Sequence, residues 1–119
     1  MSGFREVLGF DVVEWAPDFA VISAQVSKKH LNRNGFVHGG VLVSLLDSVA
    51  GLSGTYCKVP GNLRRCITIS LNTQFMSPVK DGVLRVEGRL VNRGRKIFFV
   101  EARISAGESV VATAQGAFR

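Results

Sequence analysis

The chain has 119 residues, 46% of them hydrophobic, and a formal net charge of +6 at pH 7. This length and composition fit one domain around one core and exclude a disordered protein. No stretch is long and apolar enough to span a membrane, no signal peptide is visible, and two cysteines exclude a disulfide scaffold. We therefore expect a single domain over residues 1–119 in a reducing cytoplasm.

The positive charge is compatible with nucleic acid, an anionic membrane surface or a phosphorylated small molecule. The basic residues occur in short, scattered groups: Lys28-Lys29, Arg64-Arg65, Arg93 and Arg95-Lys96. A nucleic-acid role also needs a recognition element, and none is found. Neither nucleic acid nor a membrane is expected as a partner, which leaves a solvated basic surface or contacts to phosphates.

The first third of the chain predicts a short helix at residues 3–8 and strands at residues 11–14 and 19–27. Residues 39–55 form the only long helical pattern. Its broad apolar face consists of Val41, Leu42, Leu45, Leu46, Val49 and Leu52. Its narrow opposite stripe consists of Ser44, Asp47, Ser48, Gly51 and Gly54. A helix with this pattern is almost fully wrapped by the rest of the protein.

After a loop at residues 58–65, the hydrophobic period changes to two, which indicates strands. Strands are expected at residues 67–75, 84–90, 98–104 and 109–118, with hairpin turns at residues 92–94 and 106–107. The sequence thus predicts an α+β fold in which one buried helix precedes a long antiparallel meander. Because one helix cannot cover a wide sheet, a dimer is expected.

Asp47 is the only residue charged at neutral pH between residues 39 and 57. Burying an unpaired carboxylate is costly. Asp47 therefore has either a polar partner, such as Ser44, Ser48 or a sheet residue, or a chemical role.

The pair Gly39-Gly40 opens the same helix, where backbone N–H groups are unpaired and the helix dipole is positive. Glycine lets a carbonyl oxygen approach those donors, as an oxyanion hole requires. The alternative is a loop packed tightly for structural reasons. Asp47 lies about 12 Å further along the helix axis, so a carboxylate from a neighbouring subunit is better placed to act on the same substrate.

Asn32 and His38 precede the glycine pair. Asn32 either positions a water or accepts hydrogen bonds from its own turn, and His38 is either an acid or base or a partner of the loop backbone. The sequence contains no nucleophile elbow, no oriented Cys–His pair and no metal-ligand pattern. No metal and no cofactor are expected.

The pattern Asn32-x-x-Gly35-x-x-His38-Gly39-Gly40, followed by Asp47 in a hydrophobic helix, resembles the hotdog-fold acyl-CoA thioesterases. The nearest branch is the phenylacetyl-CoA thioesterase-like (PaaI-like) one. Residues 68–78, residues 94–96 and the closing residues 114–119 are also similar, so the resemblance covers nearly the whole chain. It implies one long central helix wrapped by a five- or six-stranded antiparallel sheet, in homodimers or dimers of dimers whose active sites are built from two subunits.

By position, the resemblance implies that Asp47 is the general base or nucleophile and that the Gly39 N–H of the other subunit polarises the thioester carbonyl. Asn32 and His38 would orient water or the carbonyl, and Thr68 would help to place the water. The expected reaction is hydrolysis of an acyl-CoA, with an aryl or short to medium acyl group, to the free acid and CoA. CoA is then part of the substrate.

Contacts to CoA are expected from Gly40, Arg93, Arg95 and Lys96, with Arg64 and Arg65 as the alternative for its phosphates. Two other functions stay open. One is an acyl-thioester hydratase or dehydratase of the same fold, which would pair His38 with Asp47. The other is a non-catalytic acyl-CoA-binding module.

Five aromatic residues either line an aromatic acyl pocket or belong to the ordinary core: Phe36, Tyr56, Phe75, Phe98 and Phe99. Aromatic side chains are usually buried for packing, so the core is the favoured interpretation.

Overall fold

The structure, a computed structural model, describes residues 3–57 and 65–119. In chain order its elements are α1 (Gly3–Leu8), β1 (Phe10–Ala16), β2 (Phe19–Gln25), a 3-10 turn (Lys28–His30), α2 (Gly39–Gly54), β3 (Thr68–Phe75), β4 (Val83–Arg93), β5 (Phe98–Ala106) and β6 (Ser109–Phe118). The predicted helices and strands are confirmed, with boundaries shifted by three residues or fewer. The predicted loop at 58–65 lies almost entirely outside the described residues.

The six strands form one antiparallel sheet in the order β1-β2-β4-β5-β6-β3, which confirms the α+β class with a single long helix. The predicted meander is right for β4 to β6 and wrong for β3, which pairs with β6 at one end of the sheet. The segment after β3 explains the difference. The Met76 N–H donates to the Val111 carbonyl at 2.8 Å, and the Val26 N–H donates to the Gly82 carbonyl at 2.9 Å. Residues 76–82 therefore carry the chain from β6 across to β2.

Helix α2 packs on the inner face of this sheet, mainly against β4, β5 and β2. Its buried residues are Leu42, Leu45, Leu46, Val49, Ala50, Ser53 and Gly54. Fully burying each leucine contributes about 1.5–3 kcal/mol. At Gly88 an added Cβ would lie 2.7 Å from the Val49 carbonyl oxygen, so glycine is what allows β4 to approach the helix this closely.

Side chains from two strands cap the last turn of α2, because the final carbonyls of a helix have no intrahelical donor. The Trp15 indole N–H donates to the Leu52 carbonyl at 2.7 Å, and the Arg93 guanidinium donates to the Gly54 carbonyl at 2.9 Å. These bonds fix the carboxyl end of the helix on the sheet.

Candidate active site

Asp47 is half-buried on α2 where the helix faces the start of β3. The Thr68 hydroxyl donates to the Asp47 Oδ1 at 2.7 Å. Of the partners that the sequence left open, a sheet residue is therefore the one found, while the Ser44 hydroxyl donates to the Gly40 carbonyl at 2.8 Å. The hydrogen bond fixes one carboxylate oxygen and orients the group at the rim of the helix–sheet layer.

Cys66 lies beside this carboxylate, although the sequence contains no signal for it. Its sulfur would be 3.4 Å from a Cβ added at Gly51, one turn along the helix from Asp47. Burial raises the pKa of the Cys66 thiol, and the negative charge of Asp47 raises it further. The thiol is consequently held in its protonated form next to the candidate base.

At the other end of the site, His38 is the N-cap of α2. Its Nδ1 accepts the Gly40 N–H at 2.8 Å, and its carbonyl accepts the N–H groups of Val41 and Leu42. Among the described residues, no group accepts the Gly39 N–H. One backbone donor at the positive end of the helix is therefore available to a ligand.

Packing does not require glycine at position 39. A Cβ there would meet the Phe75 ring at 3.6 Å, which is an ordinary van der Waals distance. At Gly54, by contrast, a Cβ would lie 2.0 Å from the Phe98 ring. The contrast shows that tight packing within one chain does not account for glycine at position 39.

Asn32 organises the loop that leads into α2. Its Oδ1 accepts the backbone N–H groups of Asn34 at 2.9 Å and Phe36 at 3.2 Å. Within the described part of the chain its side-chain NH₂ has no acceptor and is not fully buried, so it is able to donate to a ligand. The geometry therefore allows Asn32 both to accept hydrogen bonds from its own turn and to position a water.

Strand β3 connects the two ends of the site within one chain. It begins at Thr68 beside Asp47 and ends at Phe75 beside Gly39, so it runs antiparallel to the helix. The side chain of Phe75 is 57% exposed, so the expectation that it belongs to the core is wrong. Phe98 does belong to the core, whereas Phe99 is 44% exposed.

The three basic residues at the β4–β5 turn that are predicted to contact CoA differ from one another in their surroundings. The Arg93 guanidinium holds the Gly54 carbonyl, lies 3.6 Å from an Asp18 oxygen and covers the Phe98 ring. Arg95 and Lys96 are exposed in the turn itself. Arg64 lies outside the described residues. Binding roles for these basic residues stay predictions.

No three His, Cys, Asp or Glu side chains within residues 3–57 and 65–119 are grouped so as to hold a metal ion. In the same ranges, no helix has both the length and the hydropathy needed to cross a membrane.

A six-stranded antiparallel sheet around one long helix, with a carboxylate on the helix and a Gly-Gly pair at its start, is the arrangement of the hotdog-fold thioesterases. The chain belongs to the thioesterase superfamily, whose family profile matches residues 34–113. A provisionally named esterase of Pseudomonas aeruginosa is 31% identical over 99 residues, covering 82% of this chain and 72% of that protein. Mouse acyl-coenzyme A thioesterase 13 is 27% identical over 120 residues, covering 98% of this chain and 82% of that protein.

Solved structures agree with this assignment. A mutant of the phenylacetic acid degradation protein PaaI from Thermus thermophilus superposes with a TM-score of 0.86 at 25% identity, covering 98% of this chain and 97% of that one. A Streptococcus mutans protein solved with bound acetyl CoA gives a TM-score of 0.81 at 25% identity, covering 92% and 86%. The chain is thus an enzyme, a PaaI-like thioesterase of the hotdog fold, as its sequence resemblance implies.

Proposed function

We propose that this enzyme hydrolyses acyl-CoA thioesters, with aryl or short to medium acyl groups, to the free acid and CoA. The observation that carries the proposal is the oriented Asp47 carboxylate, held by Thr68 at 2.7 Å on a thioesterase scaffold. The mouse relative is named for acyl-CoA hydrolysis, and the Streptococcus mutans structure holds acetyl CoA. Both support CoA as the carrier of the acyl group in this enzyme.

In the proposed reaction, Asp47 removes a proton from water, the water oxygen attacks the thioester carbonyl, and the C–S bond breaks. The proton returns to the departing sulfur as CoA is released. The Gly39 N–H stabilises the negative charge on the carbonyl oxygen, and a backbone donor of this kind contributes roughly 3 kcal/mol. If Asp47 instead attacks directly, a mixed anhydride forms first, and single-turnover hydrolysis in heavy-oxygen water would label the Asp47 carboxyl.

Asn32 and His38 are proposed to orient the water or the carbonyl from the loop before α2, and Thr68 to hold both Asp47 and the water. Gly40, Arg93, Arg95 and Lys96 are the proposed contacts to CoA. The cytoplasm is the proposed compartment. The roles of Asn32, His38 and Thr68 follow the resemblance, whereas the contacts of the three basic residues follow from their positive charge at a hairpin turn and the compartment from the cysteine usage.

The proposed assembly is a homodimer, alone or in a dimer of dimers, that joins two β3 strands edge to edge. In the described sheet β3 pairs with β6 only. Ile69 in this strand and Ile67 just before it expose apolar side chains. An antiparallel pair of β3 strands puts the start of one opposite the end of the other. This would bring Asp47 of one subunit towards Gly39 of its partner and shorten the separation that the helix imposes within one chain.

Release of free thiol from a panel of aryl, short and medium acyl-CoAs tests the reaction. Asp47→Asn should lower kcat by about 10²–10⁴-fold, the usual contribution of a general base, and leave the melting temperature unchanged. Near wild-type hydrolysis by this variant would contradict the assignment. Hydration of an enoyl-CoA without thiol release would favour the hydratase instead, and tight binding without turnover would favour a binding module.

A mixing experiment tests whether two subunits share each site. Subunits impaired by Asp47→Asn or by Gly39→Ala are co-expressed with different tags, and each homodimer is assayed alone as the background. If Asp47 and Gly39 act across the dimer, a mixed dimer contains one intact site and one doubly defective site. A random mixture should then recover about a quarter of wild-type activity, because half of its dimers are mixed. If both residues act within one chain, no mixture recovers activity.

A further inference from the structure

Phe75 is an exposed aromatic residue at the place where the proposed function puts the thioester carbonyl. Atoms Cε1 and Cζ of its ring lie 3.6 Å from the position of a Cβ on Gly39. Backbone geometry then sets these ring atoms no more than about 6 Å from the Gly39 nitrogen. An oxygen that accepts the Gly39 N–H lies about 2.9 Å from that nitrogen. The ring is thus close enough to contact the first carbons of a bound acyl group.

The surroundings of Phe75 hold its backbone firmly while leaving its ring accessible. Phe75 pairs with Ala112 in the β3–β6 ladder, and the next two N–H groups, of Met76 and Ser77, both donate to the Val111 carbonyl. The side chain is nevertheless 57% exposed, which is unusual for an aromatic residue on the inner face of a sheet. Core packing therefore leaves much of this ring available to form a wall of another cavity.

We infer that Phe75 is a specificity-determining residue that limits the width of the acyl group next to the carbonyl. This inference rests on the proposed function, because it takes Gly39 as the oxyanion donor. A wall at this point distinguishes acyl groups by branching at the α-carbon more than by total chain length. A rigid ring in contact with the first carbons accepts a straight chain and rejects a methyl branch pointing towards it.

The test compares butyryl-CoA with isobutyryl-CoA, two isomers that differ only in branching. Phe75→Ala should raise the ratio of kcat/KM for isobutyryl-CoA to that for butyryl-CoA at least tenfold, within the roughly 10–200-fold that one methylene commonly decides. Phe75→Leu should give a smaller rise, because leucine keeps much of the apolar wall. Melting temperature and light scattering show whether each variant keeps its fold and assembly.

Phe99→Ala is the matched control, since Phe99 is also partly exposed but lies on β5 beside the inward-facing, buried Phe98, and thus on the outer face of the sheet. Its isomer ratio should equal that of the wild type. Folded, active Phe75→Ala and Phe75→Leu enzymes with an unchanged ratio would overturn the inference and leave the proposed function intact. A wild-type enzyme that hydrolyses neither isomer nor any other acyl-CoA would instead overturn the proposed function, and this inference with it.

Discussion

Two glycines of α2, Gly54 and Gly39, allow a paired test of whether glycine is needed for packing or for activity. Changing Gly54 to alanine should lower stability, whereas changing Gly39 to alanine should lower activity. A methyl group at Gly54 would lie 2.0 Å from Cε1 and 2.4 Å from Cζ of the Phe98 ring. That ring has little room to move, since it is 5% exposed and stacked on Phe118 with centroids 5.4 Å apart. Overpacking of this kind costs about 1–3 kcal/mol or more.

Gly54→Ala should therefore lower the melting temperature by about 4–12 °C, given the usual entropy of unfolding for a chain of this size. At Gly39 the same methyl group meets the Phe75 ring at 3.6 Å, so no atom has to shift. Gly39→Ala should change stability by no more than about 0.5 kcal/mol. The methyl group would instead occupy space beside the N–H that the carbonyl must reach, and kcat/KM should fall by at least about tenfold.

Differential scanning fluorimetry and thiol release measure the two quantities on the same preparations. The expected pattern is a stable, nearly inactive Gly39→Ala enzyme and a destabilised Gly54→Ala enzyme. The reasoning is refuted if Gly39→Ala melts as early as Gly54→Ala, because packing then explains both glycines. Wild-type kcat/KM in a folded Gly39→Ala enzyme would equally exclude a close approach at this residue.

Two further predictions concern the carboxylate end of the site. Thr68→Val removes the donor to Asp47 and should lower kcat by about 10–100-fold, since a misplaced catalytic group commonly costs that much. Thr73→Val on the same strand is the control. An equal loss of kcat in that variant would mean a general disturbance of β3. Asp47→Asn removes the anion that raises the Cys66 pKa, so that pKa should fall and alkylation of Cys66 at pH 8 should accelerate. Peptide mapping by mass spectrometry measures the rate with Cys57 as the internal reference, and an unchanged Cys66 rate would show that the two groups do not interact.

The sequence was sufficient for those elements whose side chains alternate with a clear period. Helix α2 has a broad apolar face and ends in glycine, and the strands β4 and β5 alternate apolar and polar residues around short turns. The position of β3 was not predictable in this way, because alternation tells which face a residue occupies and not which strand lies beside it. Backbone hydrogen bonds from Met76 to Val111 and from Val26 to Gly82 place this strand, and they have no side-chain signature.

The residues of the candidate site also differ in whether the sequence alone singles them out. Asp47 stood out as an isolated charge, and Gly39 as part of a glycine pair at a helix start. The resemblance implies only that Thr68 helps to place the water, and its hydrogen bond to Asp47 is not predicted, because it joins residues 21 positions apart through the packing of a strand on a helix. Cys66 carries no usable signal in the sequence, because an unpaired cysteine is ordinary in a core. Phe75 is one of five aromatic residues that the sequence offers for either a pocket or the core, and the sequence favours the core.

Within the described residues of one chain, three features along one border of the sheet have no partner. These are the β3 edge that no described strand pairs with, the exposed apolar side chains of Ile67 and Ile69, and the Gly39 N–H that no described residue accepts. One two-fold pairing of β3 strands would cover the edge and the apolar side chains together. Because β3 runs antiparallel to α2, the same pairing would also bring each Asp47 towards a partner's Gly39. A separate cause for each feature would give no reason for all of them to occur on one border, whereas the proposed shared site would account for all three together.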